Sequence, residues 1–188
     1  MSFRAYSESR AEHWTGIVAA SDEHERRLAD RVLAALGRLK GEPLGHPVDR
    51  FEHSLQTATR AFREQADEET VVCALLHDIG DDLAPYNHGP LAAEALKPYV
   101  SPENCWLVRH HEIFQGYYFF HHIGRDRHER EAYRRHPCFE RTATFCERWD
   151  QRAFDPGYDT MPLAAFEPMV RRLFAKAPRT GRTLLAAE

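Results

Sequence analysis

The stretch Ala74-Leu75-Leu76-His77-Asp78-Ile79-Gly80 decides how the rest of this chain is read. It closes residues 68–79, Glu-Glu-Thr-Val-Val-Cys-Ala-Leu-Leu-His-Asp-Ile, which are apolar almost all round and predict a central, buried helix. His77 and Asp78 are adjacent, and neighbours on a helix point about 100 degrees apart. Both reach one point only near a helix end or a distortion, and Gly80 is placed to turn the chain there. An imidazole beside a carboxylate suits a divalent ion of intermediate softness. The plainer alternative is a helix end whose His and Asp are bonded to backbone.

Working outward, residues 48–65 predict a helix with Val48, Phe51, Leu55, Ala58 and Phe62 as its stripe, and His53 and Thr57 on an adjoining face. Before it, residues 41–47 read as a loop. Residues 22–39 read as a helix through Leu28, Val32, Ala35, Leu36 and Leu39, and residues 1–21 as an arm or short helix. After the doublet comes a loop over residues 81–88 and a short helix over 89–96, ending before Pro98. Ser101-Pro102-Glu103-Asn104 is a helix start, with a Ser cap, Pro in the first turn and an acid beside it. That helix carries His110 and His111 and continues through the aromatic run Tyr117 to Phe120. Residues 125–135 are charged and predicted to be solvated, 139–149 amphipathic, 153–162 a loop and 163–176 a last helix. The tail from Ala177 is expected to fray. No segment requires a strand, so the expected class is all-α. The expected organisation is an N-terminal helical extension (1–46), one helical domain (47–176) and a C-terminal tail (177–188).

Composition narrows the function classes. A chain of 188 residues with 43% hydrophobic and 29% charged residues is neither disordered nor fibrous. A net charge of -4, with no glycine-rich phosphate loop, zinc-finger spacing or sustained basic helix, argues against nucleic acid as a partner. Apolar runs fall far short of the roughly 20 residues of a membrane span. The four cysteines, Cys73, Cys105, Cys138 and Cys146, show no CxxC pairing, and no signal peptide is apparent. Reduced thiols in a cytoplasmic protein, monomeric or homodimeric, are therefore expected.

Histidine is abundant, at 12 residues, and placement matters more than number. His53, His77, Asp78, His88, His111 and Asp150 fall on successive predicted helices or their ends, which is how a helical bundle builds an internal metal centre. Taken singly, each is as readily a core or surface residue. His110 cannot share the helical face of His111. His121, His122, His128 and His136 match no ligand spacing and read as surface or capping residues. Arg109 is the candidate cation of a substrate pocket, with Lys97, Arg125 and Arg127 also available, although a solvated face explains such residues equally well. In the aromatic run 114–122, Gln115 and Tyr118 are candidates to orient a substrate, and a core role is the competing reading.

His53, His77-Asp78 and Asp150 together resemble the H…HD…D motif of the HD-domain superfamily. The resemblance covers roughly Pro47 to Phe174. Three pieces carry it: Glu52-His-Ser-Leu-Gln-Thr-Ala58, Ala74-Leu-Leu-His-Asp-Ile-Gly80 and Arg148-Trp-Asp150. It implies an HD-domain helical bundle over residues 47–176. Within the superfamily the chain looks most like the small mixed-valence diiron oxygenases, the organophosphonate oxygenase group and, more distantly, myo-inositol oxygenase. That likeness implies one iron on His53, His77 and Asp150, a second on His88 and His111, and Asp78 as bridge. It also implies an Fe(II)/Fe(III) pair that chelates a substrate hydroxyl and uses dioxygen to oxidise its carbon, with Asp78 and Gln115 at the reacting centre. His/carboxylate sites also accept Mn, Co or Zn.

Two positions depart from the phosphonate oxygenase pattern. Its lysine four residues beyond the last histidine is Gln115 here, and its tyrosine ten residues before the first is Pro43. An amide cannot replace a cation's charge-assisted bonds, which disfavours a phosphonate substrate. The expected activity is oxidation of a small polar hydroxylated metabolite. The runner-up is hydrolysis of a phosphate ester or nucleotide by the same two metals. A non-catalytic metal-binding interaction protein comes third.

Overall fold

The computed structural model describes residues 3–179, in which eight α-helices and several 3-10 turns occur and no strand is found. The all-α expectation is met. No described helix is long and apolar enough to cross a membrane.

Helices α1 (Ala11–Arg26) and α2 (Leu28–Gly37) meet at Arg27, whose φ of -93° and ψ of 14° break the helix. The continuous helix expected over 22–39 is thus two. The physical reason lies in burial: α1 buries no residue, whereas α2 turns Ala29, Val32 and Leu36 into the core. Helix α3 (Arg50–Arg63) starts where the Asp49 side chain accepts from the Glu52 amide at 2.7 Å. Helix α4 (Glu68–Leu76) starts in the same way, with Asp67 accepting from the Thr70 amide at 2.9 Å. Every residue of α4 from Thr70 to Leu76 is buried, as its all-round apolarity requires.

Helix α5 (His88–Leu96) and the long α6 (Pro102–Phe119) pack side by side, and α6 also carries α7 (Phe139–Arg148). The Ser101 hydroxyl accepts from the Asn104 amide at 3.2 Å and Pro102 opens α6, as the sequence predicts. Helix α8 (Leu163–Phe174) returns across α4 and α2. Helix α4 is therefore the axis, with α3, α6 and α8 around it. Leu75, Leu76, Phe114, Phe145, Phe166 and Val170 fill the space between them.

Two expectations about exposed segments change. Residues 125–135 do not simply face water: Arg127 and Arg130 stack on the Tyr117 ring at 4.1 and 3.7 Å, and Arg125 lies over Phe120 at 3.7 Å. Guanidinium groups spread over aromatic faces, so the segment straps the aromatic end of α6. At the other end, the Arg179 amide donates to the Pro98 carbonyl at 2.7 Å, which docks the start of the tail. Residues 180–188 of that tail lie outside the described residues.

Candidate metal centre

Helix α4 stops at Leu76, so the two residues of the doublet leave the helix and are free to converge. His77 is its C-cap, and Asp78 lies in the turn that follows. Gly80 makes the turn possible through close approach: a Cβ there would lie 2.7 Å from the His88 carbonyl oxygen. The start of α5 is thereby pressed against the doublet, which brings His88 in. His53 comes from the middle of α3, His111 from α6, and Asp150 from the 3-10 turn Asp150–Arg152 that follows α7.

The six side chains converge on one buried point. Asp150 Oδ1 lies 3.2 Å from His53 Nε2 and 3.6 Å from His77 Nε2. Asp78 Oδ1 lies 3.1 Å from both His88 Nε2 and His111 Nε2, while its Oδ2 stands 3.6 Å from His53 Nε2. His77 Nε2 lies 3.6 Å from the same Oδ1, so three imidazoles meet one Asp78 oxygen and His53 meets the other. His53, His77, Asp78, His111 and Asp150 are all at most 2% exposed, and His88 is 12% exposed at its side chain.

The tautomers follow from backbone partners. A carbonyl only accepts, so Nδ1 of His53, His77 and His111 must carry the proton it donates to Ala153, Ala74 and Val108, at 3.0, 2.8 and 2.8 Å. In the neutral rings each Nε2 is then a bare lone pair aimed inward. His53 and His77 present two such nitrogens 3.2 Å apart, and His88 and His111 stand equally close at 3.2 Å. Lone pairs and carboxylates packed this tightly repel one another unless positive charge lies among them. The donor set of imidazole nitrogens and carboxylate oxygens fits divalent first-row metals. His53, His77 and Asp150 form one group able to hold an ion, and His77, Asp78 and His111 another.

The surroundings supply the same field. Burial alone raises the Asp78 carboxyl, yet His77, His111 and His88 outweigh it and hold the group well below the usual carboxylate range. Asp150 behaves alike: burial raises it, and the adjoining His53 and His77 rings bring it far down. At His88 burial lowers the imidazole, but Asp78, Glu112 and Asp81 raise it to about 9. The negative charge that favours a proton on His88 favours a metal cation there as well.

A cavity of about 420 Å³ lies beside the centre, lined by neighbours of the ligand side chains. Gln115 and Tyr118 line it, as does Phe119 of the same helix. Gln115 Nε2 donates to Asp150 Oδ1 at 2.6 Å, and the Phe154 ring stacks on His53 at 4.3 Å, so the cavity wall touches the ligand cluster at two points. The aromatic run is divided by helical phase: Phe114 is core, whereas Gln115, Tyr118 and Phe119 face the cavity.

Arg109 is not brought to this cavity. Its guanidinium is paired with Glu94 on α5, and it lines surface hollows on the other side of α6. The cation at the cavity is Arg50, and His46 and Gln151 complete the wall. Arg50 is one turn before His53 on α3, so the i, i+3 spacing was its available signal. His46 and Gln151 had none, since they arrive on loops and turns. Burial and the neighbouring Arg50 hold His46 below its ordinary value. Glu112 also gave no sequence signal. It accepts from the Gly89 amide at 2.8 Å and stands 3.5 Å from His88 Nδ1.

Residues 50–152, more than half of the chain, match the HD domain family. The chain belongs to that family. The matched span of this HD domain runs from Arg50 on α3 to the turn that bears Asp150, and so contains all six converging side chains. Over 87 residues, 40% of the chain, it is 37% identical to [1-hydroxy-2-(trimethylamino)ethyl]phosphonate dioxygenase (glycine-betaine-forming) of Leisingera caerulea. That alignment spans 44% of the relative's length.

Proposed function

We propose that this HD domain is a dinuclear metal-dependent oxygenase that oxidises the hydroxyl-bearing carbon of a small polar metabolite with dioxygen. The observation that carries the reading is Asp78, one buried carboxylate within 3.6 Å of four imidazole nitrogens, Nε2 of His77, His88 and His111 at Oδ1 and Nε2 of His53 at Oδ2. His53, His77 and Asp150 would hold one ion, His88 and His111 the other, and Asp78 would bridge them. An Fe(II)/Fe(III) pair held there would supply dioxygen activation and a Lewis-acid anchor for the substrate hydroxyl. Mn, Co and Zn suit the same donors.

The chain's own side chains do the rest. Gln115 fixes Asp150 by donating to one of its oxygens, and presents its remaining polar atoms to the cavity. Tyr118, Phe119 and Phe154 give the cavity aromatic walls that shape it and limit water. The named relative is a dioxygenase, which supports this chemistry over hydrolysis.

Anaerobic purification with metal analysis, electron paramagnetic resonance and oxygen-electrode assays on small hydroxylated acids tests the reading. Two irons per chain, a mixed-valence signal and substrate-dependent oxygen uptake are expected. A redox-inert metal pair that turns over phosphate esters without oxygen would overturn it.

A further inference from the structure

We propose that Gln56 is the positioning residue for His53: it grips the loop that follows Asp150 so that the Ala153 carbonyl keeps the ring proton on Nδ1 and leaves Nε2 bare for an ion. The inference rests on the proposed function only in taking the converging side chains as a metal centre.

His53 differs from the other buried rings in where its proton is held. His77 and His111 donate Nδ1–H to carbonyls three residues earlier, Ala74 and Val108, so each tautomer is set within one turn of its own segment. His53 donates instead to Ala153, 100 residues further along the chain, at 3.0 Å. The opposite tautomer also has a partner, because a proton on Nε2 would face Asp150 Oδ1 at 3.2 Å. That tautomer occupies the lone pair a metal needs. Which of the two forms prevails therefore depends on whether Ala153 is in place.

Gln56 puts it there. The side chain is fully buried and spends its amide on the backbone of one residue, two positions beyond Ala153. Its Nε2 donates to the Asp155 carbonyl at 2.7 Å, and its Oε1 accepts from the Asp155 amide at 3.1 Å. A paired donor and acceptor fix the direction of the loop as well as its distance. The same face of α3 continues the grip. Glu52 accepts from the Thr160 hydroxyl at 2.5 Å, the Thr59 hydroxyl accepts from the Met161 amide at 3.1 Å, and Arg60 lies over the Tyr158 ring at 3.9 Å. Positions 52, 56, 59 and 60 form one helical stripe, beside the face that bears His53. One helix thus supplies both the ligand and the hold on that ligand's partner. The loop also lays the Phe154 ring on His53 at 4.3 Å, so the same grip sets part of the cavity wall. Glu52 and Gln56, which flank His53 in the stretch 52–58, have a task distinct from ligation.

The test is nitrogen-15 NMR of histidine-labelled protein, metal-free and at alkaline pH, where the two ring shifts report each tautomer. Titration with Zn(II) against a chromophoric chelator follows. Gln56→Ala is expected to move His53 alone toward a mixture with the Nε2–H form, leaving His77 and His111 unchanged. It should also weaken one of two Zn(II) ions by about tenfold to a hundredfold. Thr160→Val loosens the loop at its far end without entering the buried face of α3, and should shift His53 in the same direction by less. If Gln56→Ala does not fold, Thr160→Val decides by the same reading. An unchanged His53 tautomer in the folded variant, or one that shifts together with His77 and His111, overturns the proposal. Protein that binds no Zn(II) yet shows the His53 shift would sink the metal centre and keep the grip. Two Zn(II) ions held equally well by wild type and variants, with His53 unmoved, would do the reverse.

Discussion

The Nε2 atoms of His53 and His77 lie 3.2 Å apart, and each ring has spent its Nδ1 proton on a backbone carbonyl. Two acceptors at hydrogen-bond distance are held there by the packing of α3 against α4. A cation placed between them is held by both nitrogens at once.

Adding metal should stabilise the fold. Chelator-treated protein is expected to melt at a lower temperature than protein returned to Fe(II), Mn(II) or Zn(II). The gain should rise with metal concentration, by about 2.7 kcal/mol at one hundred times the dissociation constant. Differential scanning calorimetry reads it. A melting temperature indifferent to metal would contradict the assignment of these lone pairs.

His88 and His111 converge on Asp78 Oδ1, each at 3.1 Å. His88→Ala and His111→Ala should each lower the bound metal from two ions per chain to one. Elemental analysis after gel filtration checks this. Two ions retained in both variants would remove these residues from the ligand set.

Gly80 is predicted to be intolerant of alanine. The added Cβ would meet backbone of His88, its carbonyl oxygen at 2.7 Å and its Cα at 3.1 Å, and backbone cannot step aside as a side-chain tip can. The start of α5 must move, carrying His88 away from Asp78. Gly80→Ala should cost about 1–3 kcal/mol in urea denaturation and weaken the second metal more than the first.

Gln115 is predicted to act on the metal through Asp150. Gln115→Ala removes the only side-chain amide donating to that carboxylate among the described residues, at 2.6 Å. Metal affinity at the His53 and His77 side should fall by about tenfold to a hundredfold, as for other hydrogen-bonded ligands. Competitive titration with a chromophoric chelator measures it. Gln115→Glu should be worse than alanine, since it sets a second carboxylate against Asp150.

The stability of α4 should depend on acid pH. Burial raises the Asp67 carboxyl, but two hydrogen bonds from Thr70, at 2.9 and 2.6 Å, bring it below the ordinary carboxylate value. Glu69 is likewise lowered from 4.5: burial opposes, and bonds from Ser101 and Asn104 prevail. Carboxyls depressed in the folded state contribute stability above their unfolded values and lose it as pH falls through the folded ones. Asp67→Ala should cost about 1 kcal/mol at pH 7, through loss of the cap. Its urea midpoint should also fall less steeply than wild type between pH 5 and about pH 3.

The helices and the doublet were legible in the sequence because their signals are local. Apolar periodicity, the caps at Asp49, Asp67 and Ser101, and Gly80 after His77-Asp78 act within one or two turns, and the observed elements follow them. The break at Arg27 was not legible, since the residues on either side are equally good helix formers and only the core, which accepts α2 and not α1, makes the distinction. The four histidines and two aspartates could be named from the chain. What only the tertiary structure decided is how they share the site: Asp78 meeting His77, His88 and His111 with one oxygen and His53 with the other, and the Nδ1 of His53, His77 and His111 consigned to a carbonyl. The identity of the cavity's cation was decided there too. Arg109 and Arg50 look alike in sequence, but α6 turns the first toward Glu94 while α3 turns the second toward Asp78. Helical phase and helix packing set that choice, and neither is written in the residue itself.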